Sequence, residues 1–203
     1  MSYFDYEFEV PWTDLDDSKT KLYPENNPDK NRVVLTFHSG LRLQMTVVPA
    51  HEFADEFTKE DFKMSPQKFE AVFGRGTSKS DYQFVKNVYE FTPARMHYWS
   101  LSPGVHYRED VVLMIKSIMP AKAAESGIFR IQNQSYKGFQ QGNPEVRQNS
   151  FLVDLYSDDG GVEFILMQRS SPNPTFVTQP EINRIIQSLH KAPPESAGAS
   201  GKS

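Results

Sequence analysis

SFLVDLYSDDGGVEFILMQ, residues 150–168, holds two β-rich runs, Phe151 to Tyr156 and Val162 to Gln168, around Ser157-Asp158-Asp159-Gly160-Gly161. Asp and Gly are the residues that tight hairpin turns favour, so the stretch predicts two antiparallel strands joined by a short connection. The same arrangement recurs upstream, where Arg32 to Phe37 and Leu41 to Val48 flank His38-Ser39-Gly40. Ile128 to Gln132 and Lys137 to Gln141 read as two further strand pieces. At the start of the chain, Phe4, Tyr6, Phe8 and Val10 alternate with Asp5, Glu7 and Glu9, the period of a half-buried strand ended by Pro11. Trp12 to Lys30 carries Pro24, Asn26-Asn27 and Pro28 among charges and reads as a long surface loop.

Between Pro49 and about Glu125 the period becomes helical. Ser65-Pro66 has the form of an N-cap followed by a first-turn proline, and Gly74 stands where a helix from Pro66 to Phe73 would end. A second helix is expected over Lys79 to Phe91, and a short helical segment restarts at Thr92-Pro93. Ser102-Pro103 precedes a further helix through Val111, Val112, Ile115, Ile118 and Met119, stopped by Pro120. Downstream, Thr178-Gln179-Pro180 opens a last helix to about His190, with Ile182, Ile185, Ile186 and Leu189 on its apolar face. The order of strands, helices, strands and helix predicts an α+β fold: an antiparallel sheet packed by helices, with a helical block inserted at about 50–125. Residues 1–190 are expected to form one domain, and 191–203, rich in Ala, Pro, Ser and Gly, a disordered tail.

Composition narrows the function. The 203 residues include 15 Phe, 9 Tyr and 2 Trp, enough bulky side chains to fill a core although only 38% of residues are hydrophobic. Net charge is −4, from 22 basic and 26 acidic residues, and the basic ones are scattered, which argues against nucleic acid as a partner. Without cysteine there is no disulfide, thiol nucleophile, iron–sulfur cluster or cysteine zinc site. The run Val111 to Ile115 is the longest aliphatic stretch, too short to span a bilayer. The first residues are acidic and lack the apolar core of a secretory signal, so the chain as given is expected to be soluble and cytoplasmic; export stays open if a signal was removed.

Several stretches invite chemistry. GRGTSKSDYQF, residues 74–84, has two glycines ahead of Lys79-Ser80, but a phosphate loop needs G-x-x-x-x-G-K-[ST] after a buried strand. Here Ser78 precedes the lysine and the upstream element is helical, so the segment reads as a helix connection with Ser78 capping the next helix. Ser200-Gly201-Lys202-Ser203 has neither a strand before it nor a helix after it. His51 and Asp55 would stand one turn apart on a helix, a geometry for two metal ligands, although the first turn of an acidic helix explains them as well. His106 and Glu109, within His106-Tyr107-Arg108-Glu109-Asp110, are the candidate general acid–base pair, set against a charged helix start. His38-Ser39 and Asp158-Asp159 read as turn residues rather than a nucleophile pair or a calcium loop. Phe139, Gln140 and Gln141, bracketed by Gly138 and Gly142, read either as a bulged recognition edge or as a strand whose aromatic pins the sheet to the core.

"YEFEVPW", "RVVLTFHSGLRLQMTVV", the late hairpin and the closing "TQPEINRIIQSLHK" together resemble the layout of the PsbP and Ran-binding Mog-type superfamily. That resemblance covers the two ends of the chain and implies an antiparallel sheet sandwiched by helices, in proteins that mostly act by binding other proteins. It carries no functional residue across. The expectation is therefore a non-enzymatic protein-binding or accessory protein that needs no cofactor, its contact surface combining the helical insertion with Gly138 to Gly142. The alternative is a small-molecule or metal-dependent enzyme in which His51, Glu52, His106 and Glu109 converge in a cleft.

Overall fold

A computed structural model describes residues 1–23, 31–58, 65–90, 127–146, 150–168 and 176–193. Among them the strands are, in chain order, β1 (Ser2–Tyr3), β2 (Tyr6–Glu7), β3 (Lys21–Tyr23), β4 (Arg32–Thr36), β5 (Arg42–Val48), β6 (Ile128–Gln132), β7 (Lys137–Gln141), β8 (Ser150–Ser157), β9 (Gly160–Met167) and β10 (His190–Lys191). The helices are α1 (Glu52–Thr58), α2 (Pro66–Phe73), α3 (Asp81–Tyr89) and α4 (Gln179–Ser188). The fold is α+β: seven strands pair antiparallel in the order β3, β4, β5, β9, β8, β7, β6, and β1, β2 and β10 form a small second sheet. Helices α1 to α3 are inserted between β5 and β6.

The late hairpin forms the middle of the large sheet. Its strands pair from Ser150 with Met167 to Ser157 with Gly160, so Asp158 and Asp159 make the tip. The left-handed backbone of the turn falls on Gly160, at φ 126°, where a side chain would be strained. Because strand side chains alternate, Phe151, Val153 and Leu155 share one face with Val162, Phe164 and Leu166, and all six are buried. Against this face lies α4, whose Ile182, Ile185 and Ile186, with Leu189 just past its end, are buried in the same cluster. Each such side chain contributes about 1.5–3 kcal/mol by leaving water, so docking rather than intrinsic helicity holds α4 in place. Polar contacts fix its orientation. Trp12 Nε1 donates to Glu181 at 3.0 Å, and Asn133 Nδ2 donates to the carbonyls of Ile186 and Leu189 at 2.7 and 2.9 Å.

The opposite face carries a second core, in which Phe69, Phe73, Phe84, Val85 and Val88 of α2 and α3 pack with Phe139 and Tyr156. Capping is local and legible: Ser65 Oγ accepts from the Lys68 N–H at 3.2 Å, with Pro66 in the first turn, and Gly74 ends α2. Beyond it, Asn87 Nδ2 on α3 donates to the Phe73 carbonyl at 2.8 Å, tying the two helices together. The glycines of residues 74–84 thus serve a helix connection.

Some elements differ from their sequence reading. Tyr3 to Val10 is not one strand: Phe4 and Asp5 both take left-handed conformations, φ 53° and 66°, and fold β1 back onto β2. Tyr6 and Phe8 still point inward as the alternation requires. The stretch assigned to a long loop contains a 3₁₀ turn, Asp17–Lys19, and the edge strand β3, whose backbone pairs with β4 although all three of its residues are exposed. The cap of α3 is Ser80, whose Oγ accepts from the Gln83 N–H at 3.3 Å, while the hydroxyl of Ser78 donates to Glu70. Lys191, placed in the tail from sequence, pairs with Tyr6 in β10. The helices expected beyond Phe91, and residues 194–203, lie outside the described residues. Among the described residues no helix is long and apolar enough to cross a membrane.

Candidate functional site

One row of side chains crosses the large sheet on the helical face. Its members, fixed by the strand register, are Arg32, Thr46, Glu163, Asp154, Phe139 and Arg130. At its centre Asp154 on β8 and Glu163 on β9 are directly opposite each other. Directly opposed residues of an antiparallel pair hold their Cβ atoms about 4.5–5.5 Å apart, so the two carboxyls, when both are ionised, form a like-charge pair in the middle of the sheet, an arrangement that costs stability. Position 138, next to Phe139 on β7, must be glycine: a Cβ there would lie 1.7 Å from the Asp154 carbonyl oxygen.

Above the pair, α1 brings Glu52 and Phe53. These two, with Val48, Asp154, Tyr156 and Glu163 among the lining residues, enclose a hollow of about 40 Å³. That is room for a few water molecules or one ammonium head, since a water needs about 10–15 Å³ by such a measure. Asp154 accepts no hydrogen bond from the described residues. Burial, then the charges of Glu163 and Glu52, push its carboxyl up to about 8, so at neutral pH it carries a proton. Its surroundings are those of an interior group although it retains some exposure, because it opens onto this hollow. The same burial, together with Asp154, raises the phenols of Tyr156 and Tyr89 well above their ordinary range.

Beside the hollow lies a second group. Asp81, at 7% exposure, accepts the Glu52 N–H through Oδ2 at 3.0 Å and so caps α1 from α3. Burial raises its carboxyl, partly offset by the Glu52 and Phe53 amides and by His51. Its Oδ1, like Nδ1 of His51, is buried with no hydrogen-bond partner.

The residues singled out by sequence fare unevenly. His51 is not within α1: it precedes the helix in a left-handed conformation, φ 62°, and its carbonyl accepts the Asp55 N–H at 2.8 Å. The shared helix face expected of His51 and Asp55 is therefore not formed, and Asp55 is exposed. Among the described residues no cluster of three or more His, Asp or Glu side chains is placed to hold a metal ion. His106 and Glu109 lie outside the described residues.

Phe139 and Gln140 do not form a recognition edge, because β6 pairs outside β7 and the helices cover it. Phe139 is 2% exposed, stacked on Tyr82 at 5.3 Å and edge-on to Tyr89 at 5.1 Å. Gln140 is fully buried in a reciprocal amide pair with Gln179, 2.8 Å each way, and Gln141 Nε2 donates to the Tyr89 hydroxyl. Sequence reasoning missed Asp154, Glu163 and Asp81. A signal for the first two was present: a two-residue turn at Asp158-Asp159 sets the hairpin register that places them opposite each other. No family model matches the chain, and neither a curated protein nor a solved structure matches it.

Proposed function

We propose that the protein is a non-enzymatic binding protein whose partner is another protein, engaged where α1 meets the sheet by a positively charged side chain entering the hollow at Asp154. The observation that carries this reading is the directly opposed Asp154 and Glu163 at the centre of the sheet. With both carboxyls ionised such a pair is costly, and a cation between the two groups would offset that cost. Glu52 and Glu163 have interactions of their own, so Asp154 is the group on which the reading turns. Size supports a side chain over a metabolite: the hollow is about 40 Å³, whereas small-molecule pockets run to about 300–1,000 Å³. The resemblance to a superfamily of mostly protein-binding members points the same way.

Because a cation would enter with loss of the Asp154 proton, binding should tighten as pH rises toward 8. Titrating isotope-labelled protein with a tetralysine peptide at pH 6 and pH 8 tests this by NMR. Saturable shifts at Glu52, Asp154 and Glu163, tighter at pH 8 and lost in Asp154→Asn, are expected. Shifts confined to other acidic surfaces, or unchanged in the variant, would remove the reading.

One feature favours the competing reading, a small-molecule or metal-dependent enzyme with a His/Glu cleft. The strained backbone of His51, with its unpartnered Nδ1 near the unpartnered Oδ1 of Asp81, is the kind of outlier that clusters at functional sites. A reproducible rise in thermal stability with one metabolite or divalent metal, abolished by His51→Ala, would replace the binding reading with this one.

A further inference from the structure

We propose that the outer edge of β6 docks a second copy of this chain, the two β6 strands pairing antiparallel about a twofold axis at Phe129 and joining the two large sheets into one. This goes beyond the binding reading, since it uses the edge of the sheet rather than the hollow.

Which main-chain groups β6 turns outward follows from its hairpin with β7. The Asn133 N–H donates to the Tyr136 carbonyl at 3.0 Å and the Gly142 N–H to the Gly127 carbonyl at 3.1 Å, so the pairs just beyond both ends of the register are hydrogen-bonded ones. Such pairs alternate along an antiparallel ladder. Phe129 and Ile131 therefore bond inward to Gln140 and Gly138, while Ile128, Arg130 and Gln132 direct their N–H and C=O away from β7. The Gln132 carbonyl is taken by Gln187 Nε2 at 3.0 Å. Among the described residues the main-chain N–H and C=O of Ile128 and Arg130 have no partner. They are open donors and acceptors two residues apart, the repeat at which an antiparallel strand takes up its bonds.

The two edges of the large sheet are not alike. β3 is three residues long and follows the 3₁₀ turn at Asp17–Lys19, with Lys19 and Lys21 beside it, features that blunt an edge. β6 keeps five residues in unbroken register and leaves Phe129, on the α4 face, 41% exposed. Its one charge, Arg130, is already paired with Glu90.

The choice of a second copy rests on self-complementarity. An axis at Arg130 would set two arginines directly opposite each other and call on the Gln132 carbonyl that Gln187 already holds. With the axis at Phe129, Ile128 of each copy exchanges its hydrogen bonds with Arg130 of the other, so only the open groups are used. Phe129 then meets its own copy in a non-hydrogen-bonded pair, where side chains come closest and an aromatic pair stabilises. On the other face the aliphatic stem of Arg130 lies along Ile128 of the second copy. The contact is small, so the association is weak and depends on concentration.

Sedimentation velocity of the intact protein, over a concentration series reaching about 1 mM, should show reversible monomer–dimer exchange. Phe129→Asp, which sets two carboxylates on the axis, should raise the dimer dissociation constant about tenfold or more. The chain has no cysteine, so single-cysteine variants report the register. In Phe129→Cys, treated with glutathione disulfide, the two Cα atoms stand about 4.5 Å apart, within disulfide reach, and an interchain crosslink should form. In Gln132→Cys the two thiols lie about 20 Å apart along the strands and should stay uncrosslinked. Both positions are exposed, so these variants keep the fold. A wild type that stays monomeric at the highest concentration, a dimer unmoved by Phe129→Asp, or crosslinking at 132 as readily as at 129 would overturn the proposal. Its fate is separate from that of the binding reading, because tetralysine can be titrated into the monomeric Phe129→Asp variant.

Discussion

Under α4 the central hairpin presents Phe151, Val153, Leu155, Val162, Phe164 and Leu166, an apolar surface with no charge in it. One residue along the same strands, Asp154 and Glu163 face α1 across a hollow. The two faces are made by the same backbone pairing and differ only in which alternate side chains they receive. The first is built for stability, since its residues share one buried apolar cluster with α4 and with Tyr6, Phe8 and Trp12 of the N-terminal segment. The second gives up stability at its centre, and there the chain also keeps a protonated carboxyl, an unpartnered histidine nitrogen and a strained joint. Regions that break local rules at a cost are where a function is to be sought.

Four substitutions sharpen or break this comparison. The largest effect is expected at Phe164, fully buried on the α4 face: Phe164→Ala should lower unfolding free energy by about 3–5 kcal/mol through lost burial and the cavity left behind. Urea unfolding should show that loss equally at pH 5 and pH 8, because no titratable group is involved.

Asp154→Asn should act in the other direction and depend on pH. The carboxyl is raised in the folded state to about 8 and sits near 4 unfolded, so its contribution to stability is fully present below pH 4 and is lost as pH rises toward 8. The variant removes that loss. Its advantage over wild type should grow with pH by up to about 1.4 kcal/mol per unit between 5 and 8. Equal pH dependence of melting in the two proteins would show that the helical face is no more strained than the other.

The smallest effect concerns the scaffold of the helical face alone. Ser80→Ala removes the side-chain acceptor for the Gln83 N–H and should cost about 1 kcal/mol in thermal unfolding, whereas Ser78→Ala should cost less. A larger loss at Ser78 would restore it as the helix cap.

Legibility followed the range of the interactions. The hairpins β4–β5 and β8–β9, the Ser65 cap and the apolar face of α4 were legible because each depends on residues a few positions apart. Tyr3 to Val10 misled because its alternation survives a tight turn: Phe4 and Asp5 reverse the chain while Tyr6 and Phe8 still face the core. β3 was hidden because an edge strand is held by its neighbour's backbone and buries none of Lys21–Tyr23, so no alternation of buried and exposed positions marks it. Phe139 and Gln140 looked available because sequence does not say that β6 will pair outside β7.

From sequence alone came the α+β class, the antiparallel hairpins and the closing helix, since period, turn chemistry and caps act through neighbouring residues. Only the tertiary structure decided that Glu52, carried by an inserted helix, comes to rest over Asp154 and Glu163. Burial and charge then act through space across about a hundred residues of chain, and it is that meeting, absent from any local pattern, that turns an ordinary aspartate into a group holding its proton to about pH 8.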